Sequence, residues 1–193
     1  MHYYKKGKGG RPIEIVLEAR GVRLVLTTPP GLFSSSQIDL GTRLLIEWME
    51  IPDKGKLLDI GCGYGPIGLF AKAFNPQLDV YMVDVNPQAV KASRRNAERN
   101  GLEVTVLQGN LYEPTDALGL REFSTIVSNP PLAAGKEVVE SVIRGAPERL
   151  AKGGSLQMVF AKGGERAEEL FKELFREVEV KRKKGYALVR GYL

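Results

Sequence analysis

The sequence has few of the residues that most often carry disulfide, metal or acid–base chemistry. Its 193 residues include one cysteine, Cys62, and one histidine, His2. A single cysteine excludes an intramolecular disulfide and a zinc site built from several cysteines. A lone histidine beside the N-terminus argues against a histidine-based catalytic triad or metal cluster. The sequence therefore predicts no metal site.

Long hydrophobic runs are also missing. No apolar segment approaches the roughly 20 residues that cross a bilayer, and no apolar core follows the N-terminal lysines as it would in a secretory signal. We therefore expect a cytoplasmic protein in a reducing compartment, without membrane association. The length fits one domain over residues 1–193, with an N-terminal hairpin extension over residues 1–30 and a catalytic core over residues 31–193.

The net charge of +5 is unevenly distributed. Residues 1–23 and residues 176–193 each carry six basic and two acidic side chains, whereas the segment between them has 16 basic and 19 acidic ones. The excess positive charge therefore lies at the two ends, which indicates a polyanionic partner. A solvated surface and charged chain ends would have the same composition. Charge alone therefore does not distinguish a polyanion-binding surface from an ordinary solvated one.

Strand and helix patterns alternate along most of the chain. Apolar and polar residues alternate over Ile13–Ala19 and Val22–Thr27, which predicts a β-hairpin. The later patterns predict seven strands separated by helices, including a helix over Lys136–Leu150 and a strand over Ser155–Ala161. This order predicts an α/β fold with a mostly parallel sheet and helices on both faces. The final connection is too short for a crossover helix, so the last strand should run antiparallel to its neighbour.

The strongest local signal is a glycine-rich loop between a predicted strand and a predicted helix. The stretch Leu57–Gly68 reads LLDIGCGYGPIG, and Asp84 follows Gly65 by 19 residues. Such glycines allow a sharp turn and the close approach of a ligand, and a carboxylate at the next strand end can hold ribose hydroxyls. The spacing fits both a dinucleotide fingerprint and the pattern of S-adenosylmethionine binders. Asp59 favours the second, since a carboxylate there repels pyrophosphate but suits an ammonium or sulfonium group.

A second signal is the Asn-Pro-Pro sequence at residues 129–131, shortly after the predicted strand Phe123–Val127. The side-chain oxygen of Asn129 and the carbonyl of Pro130 can each accept a proton from a planar amine, and the two prolines stiffen the chain. Such an arrangement would aim the lone pair of the amine nitrogen at an electrophile held by the glycine loop.

Together these motifs resemble the class I S-adenosylmethionine-dependent methyltransferases that act on exocyclic amines. The resemblance covers about residues 57–193 and implies a Rossmann-like fold with S-adenosyl-L-methionine as the cofactor. It implies that Asn129, Pro130 and Pro131 form the catalytic motif. The implied cofactor contacts are Asp59, Gly61, Gly63, Asp84, Val85, Asn110, Leu111 and Asn129. The family often has aspartate where Asn110 stands, and asparagine still offers a donor and an acceptor to the adenine edge.

The upstream stretch is similar to the small-domain methyltransferases, which include bacterial small-subunit ribosomal RNA guanine-N2 enzymes. The matching residues are PGLFS at 30–34 and DLGTRLL at 39–45. This similarity implies that Phe33, Ser34 and Thr42 contact the cofactor or substrate. Those enzymes have an additional N-terminal half, so we expect this chain to be a catalytic domain alone. Leu132 stands where the family commonly has an aromatic residue that stacks on the target base.

The sequence thus predicts an enzyme that transfers a methyl group directly to an exocyclic amine, with guanine N2 of ribosomal RNA as the leading substrate. The predicted RNA contacts are Phe33, Leu132 and a basic cluster at the carboxyl edge of the sheet: Lys181, Arg182, Lys183 and Lys184. Three alternatives stay open: a glutamine N-methyltransferase acting on a protein, a nonenzymatic RNA-binding module on the same fold, and a nicotinamide-dependent oxidoreductase. Monomer and homodimer also both stay open.

Overall fold

The computed structural model describes residues 10–32, 37–161 and 164–193. Two strands, β1 (Ile13–Ala19) and β2 (Val22–Thr28), form an N-terminal hairpin. The main sheet consists of β3 (Lys56–Ile60), β4 (Asp79–Asp84), β5 (Thr105–Gln108), β6 (Phe123–Ser128), β7 (Leu150–Phe160), β8 (Glu177–Lys183) and β9 (Tyr186–Tyr192). The helices are α1 (Leu40–Trp48), α2 (Pro66–Phe74), α3 (Pro87–Arg99), α4 (Glu113–Ala117), α5 (Lys136–Gly145) and α6 (Glu165–Leu174).

The seven strands of the main sheet lie in the order β5-β4-β3-β6-β7-β9-β8. Strands β5, β4, β3, β6 and β7 are parallel, and β9 runs antiparallel to both of its neighbours. The predicted hairpin, the mostly parallel sheet and the antiparallel last strand are therefore confirmed. The last strand lies between β7 and β8 rather than at the edge of the sheet. As a result β8 points in the same direction as the parallel strands and ends at the same edge.

Two apolar layers cover the two faces of the sheet. Along β3, Leu57 packs into the layer formed with α1, α2, α3 and the hairpin, and its neighbour Leu58 packs into the layer formed with α5 and α6. Successive residues of a strand point to opposite faces, so a strand buried on both faces needs this continuous apolar run. The helices on both faces hold the strand ends of one edge in a fixed arrangement.

The predicted helix over Lys136–Leu150 is wrong at its C-terminal end. Helix α5 ends at Gly145, and Leu150 already pairs with Phe123 at the start of β7. Pro147 lacks the N–H that the next helical hydrogen bond requires, and its ring clashes with the preceding turn. The chain therefore leaves the helix there, and β7 begins earlier than the predicted strand.

The hairpin is attached to α3 through two asparagine side chains one helical turn apart. Asn96 Oδ1 accepts the N–H of Thr27 at 2.8 Å, and its Nδ2 donates to the Thr27 carbonyl at 2.9 Å. Asn100 makes the same pair of hydrogen bonds with Val25, at 3.1 and 3.0 Å. The two amides thus hydrogen-bond to backbone N–H and C=O groups at the outer edge of β2, as a neighbouring strand would. These bonds hold the hairpin against the helix.

Across these three ranges, no helix is long and apolar enough to cross a membrane.

Candidate active site

The glycine loop connects β3 to α2 at the carboxyl edge of the sheet. Gly61, Gly63 and Gly65 have φ angles of 70°, 59° and 100°, in the left-handed region that glycine adopts without a side-chain clash. A Cβ atom at Gly61 would meet no other atom within 4 Å, so the loop is open to ligand on that side. The loop therefore combines the predicted sharp turn with room beside its backbone.

Asp59 lies under this loop and is only 1% exposed. Its Oδ2 accepts the N–H of Gly68 in the first turn of α2 at 2.9 Å, whereas its Oδ1 is buried without a hydrogen-bond partner. Burial raises the pKa of Asp59 to about 7; the Gly68 hydrogen bond opposes this rise and the charge of Asp84 adds to it. A buried acceptor without a partner is costly, which suits a site completed by a cationic ligand.

Asp84, at the end of β4, connects the glycine loop to the start of α3. Its Oδ2 accepts the N–H of Gly63 at 2.8 Å, and its Oδ1 accepts the N–H of Asn86 at 2.9 Å. A carboxylate oxygen has a second lone pair, so Asp84 can still accept hydrogen bonds from hydroxyl groups. Next to it, the apolar side chain of Val85 is 59% exposed. The strand end thus offers a polar acceptor beside an apolar surface.

Asn110 and Leu111 follow β5, the edge strand beside β4. The carbonyl of Asn110 accepts the N–H of Glu113 at 3.0 Å, while its side chain is exposed. Leu111 has a φ angle of 49°, which is strained for a residue with a branched side chain. Strain of this kind is concentrated at ligand-binding sites, where the surrounding structure holds it. The pair therefore lies at the same edge of the sheet as the glycine loop, and its contact with the cofactor stays a prediction.

Two side chains of α3 hold the glycine loop from below, and the sequence analysis missed both. Ser93 Oγ donates to the Gly63 carbonyl at 2.8 Å, and Asn96 Nδ2 donates to the Tyr64 carbonyl at 2.8 Å. Both residues are buried among small apolar neighbours on the inner side of α3. The sequence does contain a signal for both residues. They are polar, lie three positions apart on an otherwise apolar helix face, and so need hydrogen-bond partners when that face is buried.

Asn129 follows β6, the strand on the other side of β3, and contacts the start of α1. Its Nδ2 donates to Thr42 Oγ1 at 2.8 Å and to Asp39 Oδ2 at 3.3 Å. Thr42 is 4% exposed, so it lies behind Asn129 rather than on an open surface. The preceding residue, Ser128, donates its hydroxyl hydrogen to the Ile60 carbonyl at 2.9 Å. This bond ties the Asn-Pro-Pro motif to the strand that carries the glycine loop.

A cavity of about 540 Å³ opens beside Pro130 and Pro131. Val139 and Phe160 contribute apolar walls, and charged side chains of α5 and α6 form part of its lining. Of the other predicted contacts, Phe33 and Ser34 lie outside the described residues. At Leu132 the structure describes the backbone alone, which begins a short 3-10 turn over Leu132–Ala134.

The predicted basic cluster is split between the two faces of the sheet. Lys181 and Lys183 line a second cavity of about 260 Å³ with residues of α1, including Trp48. Arg182 points to the opposite face, where its guanidinium binds both carboxylate oxygens of Glu168 at 2.7 and 3.0 Å. Lys184 lies in the turn between β8 and β9, with a φ angle of 51°. Lys181, Lys183 and Lys184 are therefore at the predicted edge, and Arg182 already has a partner.

The observed groups fit the cofactor that the motifs imply. The orphaned oxygen of Asp59 suits an ammonium group, and the free lone pairs of Asp84 suit ribose hydroxyls. The open side of Gly61 leaves space for the chain between them, and the apolar surface of Val85 suits an aromatic base. These residues follow three neighbouring strands, β3, β4 and β5, and so lie along one edge of the sheet.

Comparisons with known proteins identify the family of the chain. The methyltransferase small domain family matches residues 23–190. The chain is 40% identical over 177 residues to protein YbxB of Bacillus subtilis (strain 168), across 89% of this chain and 87% of that protein. It is 36% identical over 140 residues to ribosomal RNA small subunit methyltransferase C of Klebsiella pneumoniae, across 70% of this chain. The match spans 40% of the length of that relative.

The fold is shared with solved methyltransferase structures. The T. thermophilus 16S rRNA N2 G1207 methyltransferase, in complex with AdoMet and guanosine, superposes with a TM-score of 0.83 at 24% identity, over 95% of this chain and 51% of that one. A precorrin-6y C5,15-methyltransferase from Geobacter metallireducens superposes with a TM-score of 0.69 at 16% identity. Since these proteins have different substrates, the shared fold does not by itself select one.

Proposed function

Because the chain belongs to the methyltransferase small domain family, we propose that it methylates the exocyclic N2 of a guanine in ribosomal RNA, with Asn129 and Pro130 orienting the amine. The chain is an S-adenosylmethionine-dependent methyltransferase. The observation that carries the proposed chemistry is the anchored side chain of Asn129, at the strand end next to the glycine loop.

The chain contributes orientation rather than acid–base chemistry. When bound, S-adenosylmethionine supplies an electrophilic methyl group on its sulfonium. Asn129 Oδ1 and the Pro130 carbonyl accept the two hydrogens of the substrate amine, so the nitrogen lone pair points toward that methyl group. The amine nitrogen would form a C–N bond as the bond between the methyl group and the sulfonium sulfur breaks. S-adenosylhomocysteine would then leave, and the methylated amine would release one proton to solvent. Positioning of this kind requires no histidine base, and its contribution to the rate is entropic and electrostatic.

Two features support a nucleobase in RNA over the side-chain amide of a protein glutamine. The cavity beside Pro130 and Pro131 measures about 540 Å³, which is within the size range of pockets that bind small molecules. Three lysines lie at the same edge of the sheet, where they can contact phosphates. The names of the K. pneumoniae and T. thermophilus relatives, both ribosomal RNA methyltransferases, also support this choice.

The substrate class is tested by transfer of a tritiated methyl group from S-adenosylmethionine to bulk cellular RNA and protein. We expect label in the RNA fraction, recovered as N2-methylguanosine after digestion to nucleosides. Label in protein alone would overturn the RNA assignment in favour of a protein amide. Label in another nucleoside would overturn the choice of guanine N2.

A further inference from the structure

We propose that Asp39 and Thr42 are positioning residues that lock the amide of Asn129 with its oxygen facing the substrate amine. This inference rests on the proposed function, because it concerns how Asn129 performs its role. Asp39 and Thr42 lie at the start of α1, 90 and 87 residues before Asn129 in the chain. Neither residue needs to touch the substrate to act in this way.

The chemistry of the partners fixes the orientation of the amide. A carboxylate accepts hydrogen bonds and cannot donate them, so the Asn129 group that faces Asp39 must be the NH₂. One hydrogen of that NH₂ goes to Thr42 Oγ1 at 2.8 Å and the other to Asp39 Oδ2 at 3.3 Å. Both hydrogens are thereby used, and Oδ1 is the atom left for another ligand. A flipped amide would place its oxygen against the Asp39 carboxylate.

The two anchoring groups are themselves rigid. Asp39 is the N-cap of α1, and its Oδ2 also accepts the N–H of Thr42 at 3.0 Å. Immediately after the cap, Gly41 lies so close to Tyr186 of β9 that a Cβ atom would be 2.9 Å from the ring. Further along α1, Leu45 and Ile46 are fully buried. Asp39 and Thr42, which we call the clamp, are therefore held by the packed core. They cannot move with the Asn129 amide if it rotates.

Orientation matters because the substrate group is a donor. An amine with two hydrogens needs two acceptors to hold its lone pair in line, and an amide turned by 180° would present a second donor to it. Loss of the clamp therefore lowers the fraction of productive complexes. Binding of the cofactor and of the rest of the substrate should change little, so we expect an effect on kcat rather than on KM.

Thr42→Val removes the hydroxyl acceptor with little change in volume, and Thr42→Ser retains it. We expect kcat for methyl transfer to RNA to fall about tenfold in Thr42→Val. Thr42→Ser should recover most of the wild-type kcat, and KM for RNA should stay within about twofold in both variants. Asp39→Ser keeps a helix cap but removes the charge that excludes the flipped amide, so it should also lower kcat several-fold.

Thr115→Val is the matched control. Thr115 is fully buried and donates its hydroxyl hydrogen to the Tyr112 carbonyl at 2.9 Å, on α4 at the other face of the sheet. The Thr115→Val variant should have a changed melting temperature but should not show the loss of kcat expected for Thr42→Val. The proposal is overturned if Thr42→Val has the wild-type kcat, or if Thr42→Ser is as impaired as Thr42→Val.

A second measurement does not depend on activity. In ¹⁵N-labelled protein without substrate, the side-chain NH₂ of Asn129, assigned by its loss in Asn129→Ala, should show slow hydrogen exchange in the wild type and in Thr42→Ser. Exchange should accelerate in Thr42→Val. Fast exchange already in the wild type would contradict the clamp. If the wild type methylated no RNA, the proposed function would fail while this measurement still decided the positioning of Asn129.

Discussion

At the scale of the residue, Asp59 performs two tasks with one carboxylate. One oxygen binds the first turn of α2 through Gly68, and the other is left without a partner in the interior. If Asp59 served only to accept the Gly68 N–H, one partly exposed oxygen would be enough. Its carboxylate is instead buried, and burial raises its pKa to about 7. The unpartnered oxygen is therefore the best indication, within the described residues, of a cationic group in the bound cofactor.

The raised pKa makes stability depend on pH. Between its ordinary value of 3.8 and about 7, Asp59 holds a proton in the folded protein that the unfolded chain has released. Stability without cofactor should therefore fall as the pH rises through this interval, and Asp59→Asn should flatten the fall. Urea denaturation of both proteins at about pH 5.5 and about pH 8 measures this difference. Equal pH dependence in the two proteins would show that Asp59 is not the titrating group.

The residues that the sequence could identify are those whose partners lie nearby in the same motif. Asp59, Asp84 and Asn129 each stand at or beside the end of a predicted strand, where parallel sheets place ligands. The contact of Asn129 with Thr42 joins residues 87 positions apart, and no local pattern encodes it. The sequence therefore identified Thr42 as a site residue through a resemblance, while its buried position behind Asn129 emerged only from packing.

At the scale of the element, helix α3 joins the N-terminal hairpin to the glycine loop. Asn96 is 1% exposed and binds the Thr27 backbone on one side and the Tyr64 carbonyl on the other. Its amide thus connects the edge of β2 with the glycine loop. Removing it leaves three backbone groups without this partner, and the Tyr64 carbonyl among them is buried.

Asn96→Ala should lower the free energy of unfolding by about 2–4 kcal/mol, because buried donors and acceptors lose their hydrogen bonds. Urea denaturation measures the loss. Arg95→Ala, at an exposed position on the same helix, is the control and should stay within about 0.5 kcal/mol of the wild type. A loss for Asn96→Ala as small as that of the control would mean that the Asn96 hydrogen bonds contribute little, and that apolar packing and the Asn100 hydrogen bonds hold the hairpin.

The strands and the long helices were predictable, whereas the short helix α4 was not. The amphipathic pattern and the Asn86-Pro87 start identify α3, where Asn86 caps the helix as expected. Helix α4 has five residues, too few for a periodic pattern to emerge. The insertion of β9 between β7 and β8 was not predictable from local sequence either, since it depends on which edge of β7 remains free.

At the scale of the whole molecule, the effect of the uneven charge depends on which basic side chains are available to bind a polyanion. Arg182 is paired with Glu168, while Lys181 and Lys183 lie on the α1 face, beside Trp48. Strand β8 is three strand positions from β6, or about 14 Å at the usual spacing. A single-stranded RNA can bridge that distance, so the proposed function predicts that these lysines bind phosphates next to the target base.

Neutralising Lys181 and Lys183 together, as Lys181→Gln with Lys183→Gln, should weaken RNA binding and reduce the slope of log Kd against log salt by about 1–1.5. Fluorescence anisotropy at several salt concentrations measures this slope. The matched control is Lys54→Gln with Lys152→Gln, two exposed lysines near the starts of β3 and β7 at the opposite edge of the sheet. If both pairs of substitutions changed the slope equally, RNA binding would depend on the net charge of the protein rather than on the position of Lys181 and Lys183.

In the proposed mechanism, Asn129 orients the amine that receives the methyl group. Single-turnover methyl transfer to RNA by Asn129→Ala tests it most directly, with binding of S-adenosylhomocysteine measured on the same preparation. We expect the rate of transfer to fall by about a hundredfold or more, while the affinity for S-adenosylhomocysteine stays within a few-fold of the wild type. Asn75→Ala, which alters an asparagine bound to the Pro52 and Asp53 carbonyls away from the site, should keep the wild-type rate. A wild-type rate in Asn129→Ala would contradict the account.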